Sequence, residues 1–229
     1  MKSAPRVFVD RQDAGAELAR LLLRRGPLRP PLVVLGLPRG GVPVAYEVAR
    51  ALKAPLDVML VRKIGMPGQP ELAIGAVASG GIVVREPRLT AELESAFTHI
   101  AARERQELER REQLYRPGLA APDLADTTAI LVDDGLATGS TMLAALRAAR
   151  KAGADSVIAA APVASHEAIA LIGADADAIV VVQTPPLLAS IGEWYEHFEQ
   201  LEDAEVRALL EKSREDQHVR QDPRADRRQ

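Results

Sequence analysis

Along this chain, short apolar runs with no room for a solvent face alternate with stretches of helical periodicity. Leu32 to Leu37 is a continuous apolar run, the mark of a strand buried on both sides of a parallel sheet. It runs into Pro38-Arg39-Gly40-Gly41, a helix is predicted from Val42 to Leu52, and Leu56 to Val61 reads as the next buried strand, ending in Arg62-Lys63. One strand, helix, strand unit of this kind builds a parallel sheet. The alternation resumes at Thr128, with strand Ala129 to Val132, helix Ser140 to Lys151, strand Ser156 to Ala161, helix Ser165 to Ile172 and strand Ala178 to Val182. Short links between alternating elements predict an α/β fold, an open, doubly wound parallel sheet with helices on both faces.

The remaining segments decorate that sheet. Val7 to Val9 reads as a short edge strand, and Asp13 to Arg25 as a helix with Leu18, Leu21 and Leu22 on one face, stopped by Gly26-Pro27. Between about residues 64 and 122 the pattern changes to an insertion. Leu72 to Val77 and Ile82 to Val84, joined by Ser79-Gly80-Gly81, form a predicted hairpin, and Ala91 to Tyr115 a charged helix. The expected organisation is one domain over residues 1–211. Its core covers about 32–63 and 128–183, and a small hood comes from the N-terminal segment and about 184–211. Residues 212–229, rich in Arg, Asp and Gln, read as a disordered tail.

Composition narrows the chemistry. The 229 residues include no cysteine, which removes disulfides, thiolate zinc sites, iron–sulfur clusters and a cysteine nucleophile, and fits a reducing cytoplasm. No apolar run approaches the roughly 18 residues of a membrane span, and Met1-Lys2-Ser3-Ala4-Pro5 lacks a signal-peptide core, so a cytoplasmic protein with no membrane partner is expected. With 29 basic against 32 acidic residues there is no global footprint for nucleic acid. His99, His166, His197 and His218 show no metal-ligand spacing. Any anion must therefore be held by a local site.

Ile130 to Thr141 supplies one. An apolar strand delivers Asp133 and Asp134, and then Gly135-Leu136-Ala137-Thr138-Gly139-Ser140-Thr141 opens a helix. Gly139 permits an unusual backbone turn, amides at a helix start point outward, and Thr138, Ser140 and Thr141 add hydroxyls, so the loop suits one phosphate monoester. The acid pair repels phosphate and suits hydroxyl groups or a magnesium ion a few ångströms away. A phosphate beside a vicinal diol describes a ribose phosphate. Simple helix capping and a solvated strand end would account for the parts separately, but not for their union at the sheet edge where ligands bind. A nucleotide P-loop would need Gly-Lys-Ser/Thr, whereas Gly139 is followed by Ser140; neither glycine loop has dinucleotide spacing. A response-regulator receiver also opens on paired acids, but Asp175 and Asp177 precede a strand instead of ending one.

The acidic pair followed by Ala137-Thr138-Gly139-Ser140-Thr141 resembles the signature of type I phosphoribosyltransferases, which use phosphoribosyl pyrophosphate (PRPP), and the order of the whole chain is similar to a bacterial branch of that family. The resemblance, over Leu32 to about Val182, implies magnesium-assisted transfer of phosphoribose from PRPP to a nucleobase or other nitrogenous acceptor, with loss of pyrophosphate. It implies Asp133 and Asp134 on the ribose hydroxyls and residues 137–141 on the phosphate. Gly36 to Gly41 would form the pyrophosphate loop, with Arg39, Gly40 and Gly41 on the leaving group, joined by Lys63. Magnesium would be held mainly through PRPP, with Asp133 and Asp134 as further ligands. Residues 64–78 would be part of a mobile cover, with Glu71 a candidate polar contact, and a homodimer is a further expectation.

Relatives acting on 6-oxopurines carry an aspartate where this chain has Ala137, which argues against hypoxanthine or guanine. Among seven aromatic residues, Trp194, Tyr195 and Phe198 cluster where a hood would lie; Trp194 and Tyr195 are the candidate acceptor pocket, or else a small satellite core. The competing function is a regulatory protein that binds PRPP or a nucleotide on the same fold without turnover.

Overall fold

The structure, a computed structural model, describes residues 7–85 and 90–221. Five parallel strands form the central sheet: β1 (Leu32–Gly36), β2 (Leu56–Val58), β6 (Thr128–Val132), β7 (Ser156–Val163) and β8 (Ala178–Gln183), in the order β2-β1-β6-β7-β8. Gly36 lies opposite Val132, and Val132 opposite Ala160, so the carboxyl ends of three strands are level. The strands read as unbroken apolar runs because each has two buried faces. Val34, Ile130, Val132 and Ile158 pack with α1 (Arg11–Arg24) and α2 (Gly41–Leu52). Val33, Leu35, Leu131 and Ala159 face the other way, toward α4 (Ser140–Lys151) and α5 (His166–Ile172). From β1 the chain winds to β2 on one side, and from β6 to β7 on the other. The crevice between the ends of β1 and β6 is thus the switch point at which open α/β sheets bind ligands.

The run Leu56 to Val61, read as one strand, divides between two sheets. β2 ends at Val58, and Val61–Met66 becomes β3 of a separate antiparallel sheet with β4 (Gln69–Ala78) and β5 (Ile82–Arg85), in the order β3-β4-β5. The handover is pinned by backbone bonds. The Met59 N–H donates to Gly36 O (3.0 Å), the Leu60 N–H to Ser79 Oγ (3.0 Å), and the Ser79 N–H to Leu60 O (3.0 Å). The predicted hairpin is present as β4 and β5, with Ala76 opposite Val84. Residues 64–78, expected to be part of a mobile cover that includes the predicted strand Leu72 to Val77, lie largely in β3 and β4, with register shifts around Gly65.

Helix α3 (Ala91–Tyr115), N-capped by Thr90, buries Phe97, Leu108 and Tyr115. Glu104, itself buried, receives Arg62 from β3 (2.8 Å), which ties the helix to the second sheet. At the helix end Arg116 is 1% exposed and donates to Asp57 (2.6 Å), Glu112 (3.2 Å) and the Val58 carbonyl (2.5 Å). A buried guanidinium stays charged only with partners of this kind, so the insertion is bolted to the edge of the parallel sheet.

Helix α6 (Asp203–Gln221) continues well past residue 212, where the composition suggests a disordered tail. Val206, Leu210 and Ser213 make a narrow buried stripe, Asp216 accepts the Tyr46 O–H (3.0 Å), and the Lys212 ammonium lies over the Tyr46 ring. A largely polar sequence hides that stripe; residues 222–229 lie outside the described residues. Segments from both ends of the chain meet in a small satellite cluster, the hood. Phe8, Ala14 and Tyr195 are its buried centre, with Ile191, Trp194 and Phe198 around them, and Phe8 and Tyr195 make a bridge in place of a full edge strand. No helix among the described residues is long and apolar enough to cross a membrane.

Candidate functional site

The loop between β6 and α4 has the geometry of an anion site. Asp133 and Asp134 follow fully buried β6, and Gly139 enters α4 at φ +75°, a conformation that suits glycine. A β-carbon there would also sit 3.1 Å from Ala168. The Ser165 hydroxyl donates to Ala137 O (2.7 Å) while capping α5 through the Ala168 N–H (2.9 Å), so the loop rests on a neighbouring helix start. Thr138 and Ser140 share a hydroxyl contact of 3.3 Å. Asp133 to Met142, together with Ile191, enclose a cavity of about 210 Å³. The start of α4 and the hydroxyls of Thr138, Ser140 and Thr141 meet at this cavity, an arrangement that suits an anion.

The loop after β1 meets the acid pair directly. Its Pro38–Arg39 peptide is cis. A β-carbon on Gly40 would collide with the Asp134 carboxylate, and one on Gly41 with Val132 O and Asp133 Cα. Both glycines are therefore required by close approach, not by an unusual φ. Arg39, Gly40 and Asp134 line a second cavity of about 350 Å³, closed by Arg11, Phe198 and Leu201. Asp134 borders both cavities, so the two spaces meet at one carboxylate.

Asp134 is held on three sides. Its side chain receives the Arg11 Nε–H (2.9 Å), its carbonyl receives the Tyr195 O–H (2.6 Å), and its N–H donates to Asp133 Oδ1 (2.9 Å). Burial, followed by the negative charge of Asp134, pushes the Asp133 carboxyl well above the usual carboxylate range. Burial also raises Asp134, opposed by the Arg11 hydrogen bond and charge. Tyr195 is raised by burial and then by the charge of Asp134, so it remains a donor. Among the described residues no group of three or more acids and histidines is arranged to hold a metal. Two carboxylates beside an anion cradle do fit magnesium, which takes one or two carboxylates and completes its shell with substrate phosphates and water.

The structure brings Arg39, Gly40, Gly41, Asp133, Asp134 and residues 137–141 to one edge. It does not bring Lys63, expected at a strand end: Lys63 sits mid-strand in β3 opposite Ala76, exposed, and lines neither cavity. The Glu71 side chain lies outside the described residues. Trp194 and Tyr195 do not line the second cavity either. Tyr195 is 6% exposed, packed between Phe8 and Phe198, so the satellite-core alternative describes its ring while its hydroxyl supports Asp134. Phe198 is the hood aromatic that reaches the cavity. Sequence reasoning missed Arg11, because it lies 123 residues from Asp134 and belongs to no local motif; its place in the segment assigned to the hood was the only signal.

Known proteins are similar to this chain in sequence and in fold. TT1426 from Thermus thermophilus has a crystal structure that matches with a TM-score of 0.83 and 44% identity, covering 90% of this chain and 98% of that one. A Mycobacterium tuberculosis H37Rv protein named "Putative phosphoribosyl transferase Rv0571c" is 43% identical over 217 residues, 92% of this chain and 48% of the relative. The same figures hold for its counterpart MT0597 in strain CDC 1551, so the chain spans about half the length of the curated relatives it matches. The phosphoribosyl transferase domain model matches residues 11–185, which include both loops and the acid pair, and the chain belongs to that family.

Proposed function

We propose that the chain is a phosphoribosyltransferase that moves the phosphoribosyl group of PRPP to a nitrogenous acceptor and releases pyrophosphate. The observation that carries this reading is the seating of one acid pair between two differently built anion sites. One is a cradle of amides and hydroxyls, the other a glycine loop with an arginine, and Asp134 borders both. In this reading residues 137–141 hold the 5-phosphate, Asp133 and Asp134 accept from the ribose hydroxyls, and Arg39 with the Gly40 and Gly41 amides takes the pyrophosphate.

The bond from the anomeric carbon to pyrophosphate breaks, its electron pair leaves with pyrophosphate, and the acceptor nitrogen bonds the same carbon from the opposite face, its proton going to solvent. Positive charge grows on the ribose beside two carboxylates while negative charge grows beside Arg39. Catalysis is then positioning and fixed electrostatics, with no covalent intermediate. Magnesium, bound with PRPP and reached by Asp133 and Asp134, would supply charge neutralisation for the pyrophosphate. Lys63 would contribute only through a movement of the second sheet, so the resting site is assigned to Arg39, Asp133 and Asp134.

The test is PRPP and magnesium offered with a panel of nitrogenous bases and amines, following pyrophosphate release. Acceptor-dependent release is the expected result. Tight PRPP binding with no release for any acceptor would favour a regulatory protein on this fold, and no PRPP binding would reject the reading outright.

A further inference from the structure

Asp134 is the acid that both cavities share, and one of its oxygens is already claimed by a cation of the chain itself. Arg11 Nε donates to Oδ2 at 2.9 Å, and both side chains are only 12% exposed. The Gly40 backbone packs against the same oxygen, which leaves the carboxylate little room to turn. The guanidinium is held as well. Arg11 opens α1 behind the Asp10 cap, its Nη1 donates to the Glu199 carbonyl (3.0 Å), and its guanidinium carbon lies 3.9 Å from the Phe198 ring centroid. The two segments that seat it form one unit. The Phe8 N–H donates to Trp194 O (2.9 Å), the Glu196 N–H to Phe8 O (2.8 Å) and the His197 N–H to Val9 O (2.9 Å). Arg11 is thus a fixed charge, and among the described residues it is the one cation hydrogen-bonded to the acid pair.

This pairing balances charge where a metal would approach. Magnesium binds carboxylate oxygens at about 2 Å, so an ion on Asp134 would stand within a few ångströms of the guanidinium. Two cations at that range repel strongly away from water. No third acid or histidine is grouped with the pair among the described residues, so a bare ion finds no compensating ligand. Glu199, 81% exposed at the rim, is too well solvated to draw one in. Substrate phosphates would remove the conflict by bringing negative charge to both cations. From this arrangement we propose that Arg11 is a built-in counter-ion of Asp134 that keeps uncomplexed divalent metal off the acid pair, so that metal enters only together with the phosphates of PRPP. This regulation of the site rests on the proposed transferase reading.

The experiment titrates Mn²⁺, the probe ion, into the full chain without PRPP, followed by calorimetry and paramagnetic resonance. The unaltered chain, Arg11→Gln, Arg11→Lys and the double variant Arg11→Gln/Asp134→Asn are compared, with circular dichroism to verify folding. Arg11→Gln should bind Mn²⁺ about tenfold more tightly than the unaltered chain, or better, because a repelling charge has left the acid pair. Arg11→Lys, which keeps the charge, should stay within about threefold of the unaltered chain. Adding Asp134→Asn should abolish the gain. Equal or weaker Mn²⁺ binding by Arg11→Gln, or a gain that survives Asp134→Asn, overturns the inference while the transferase reading stands. The unaltered chain supplies a check that needs no variant: Mn²⁺ bound as tightly alone as with PRPP present also overturns it. Failure of PRPP to bind the unaltered chain in the presence of metal removes the reading on which the inference rests.

Discussion

Tyr195→Phe isolates one hydrogen bond that supports the candidate site. The ring would keep its contacts with Phe8 (centroids 5.6 Å apart) and Phe198 (4.9 Å), so packing is conserved and only the hydroxyl is removed. That hydroxyl donates to Asp134 O at 2.6 Å in a buried setting, and the carbonyl receives no other hydrogen bond among the described residues. Leaving a buried carbonyl unpaired costs about 1–3 kcal/mol. For a chain of 229 residues a loss of 1 kcal/mol lowers Tm by roughly 2–4 °C, so a fall of several degrees is expected by calorimetry. PRPP affinity should fall by a few-fold in parallel, because the main chain of Asp134 loses its anchor. A variant with unchanged Tm and unchanged PRPP affinity would refute the claim that the hood holds the acid pair in place.

Two further outcomes follow from the same geometry. Gly40→Ala puts a methyl group against the Asp134 carboxylate and should lower PRPP affinity by about tenfold or more, equivalent to about 1.4 kcal/mol, while circular dichroism shows a folded chain. Asp133 has its folded pKa raised by burial and by Asp134, so the native state binds more protons than the unfolded chain between the ordinary carboxylate pKa and the raised one. Stability should therefore fall as pH rises through that window. Asp133→Asn should raise Tm at neutral pH, with the gain vanishing in acid below the ordinary carboxylate range; an equal Tm change at every pH would contradict the assignment.

The sheet was legible because its strands are buried on both faces and are linked by short, amphipathic helices. The Asp133 to Thr141 loop was legible because its parts are contiguous, and Arg39-Gly40-Gly41 because it repeats the strand–glycine–helix pattern. What escaped the sequence is long-range. Leu56 to Val61 is uniformly apolar up to the point where the chain changes sheets, and only the Leu60–Ser79 bonds mark the break. Lys63 looked like a strand end for the same reason. Helix α6 shows few apolar residues because its support comes from Tyr46 and Tyr115, whose hydroxyls meet Asp216 and Asp203. Arg11 and Tyr195 reach Asp134 from opposite ends of the chain, and no local spacing signals a residue whose partner lies that far away.

The central claim is that Asp133 and Asp134, set between the two anion loops, hold the ribose of PRPP. Calorimetric titration of PRPP with magnesium into the unaltered chain and into Asp133→Asn/Asp134→Asn tests it most directly. One site per chain is expected in the former and binding weakened by at least about tenfold in the latter, the loss of at least one charged hydrogen bond to the diol. Absence of PRPP binding to the unaltered chain, or equal affinity in the two proteins, would contradict it.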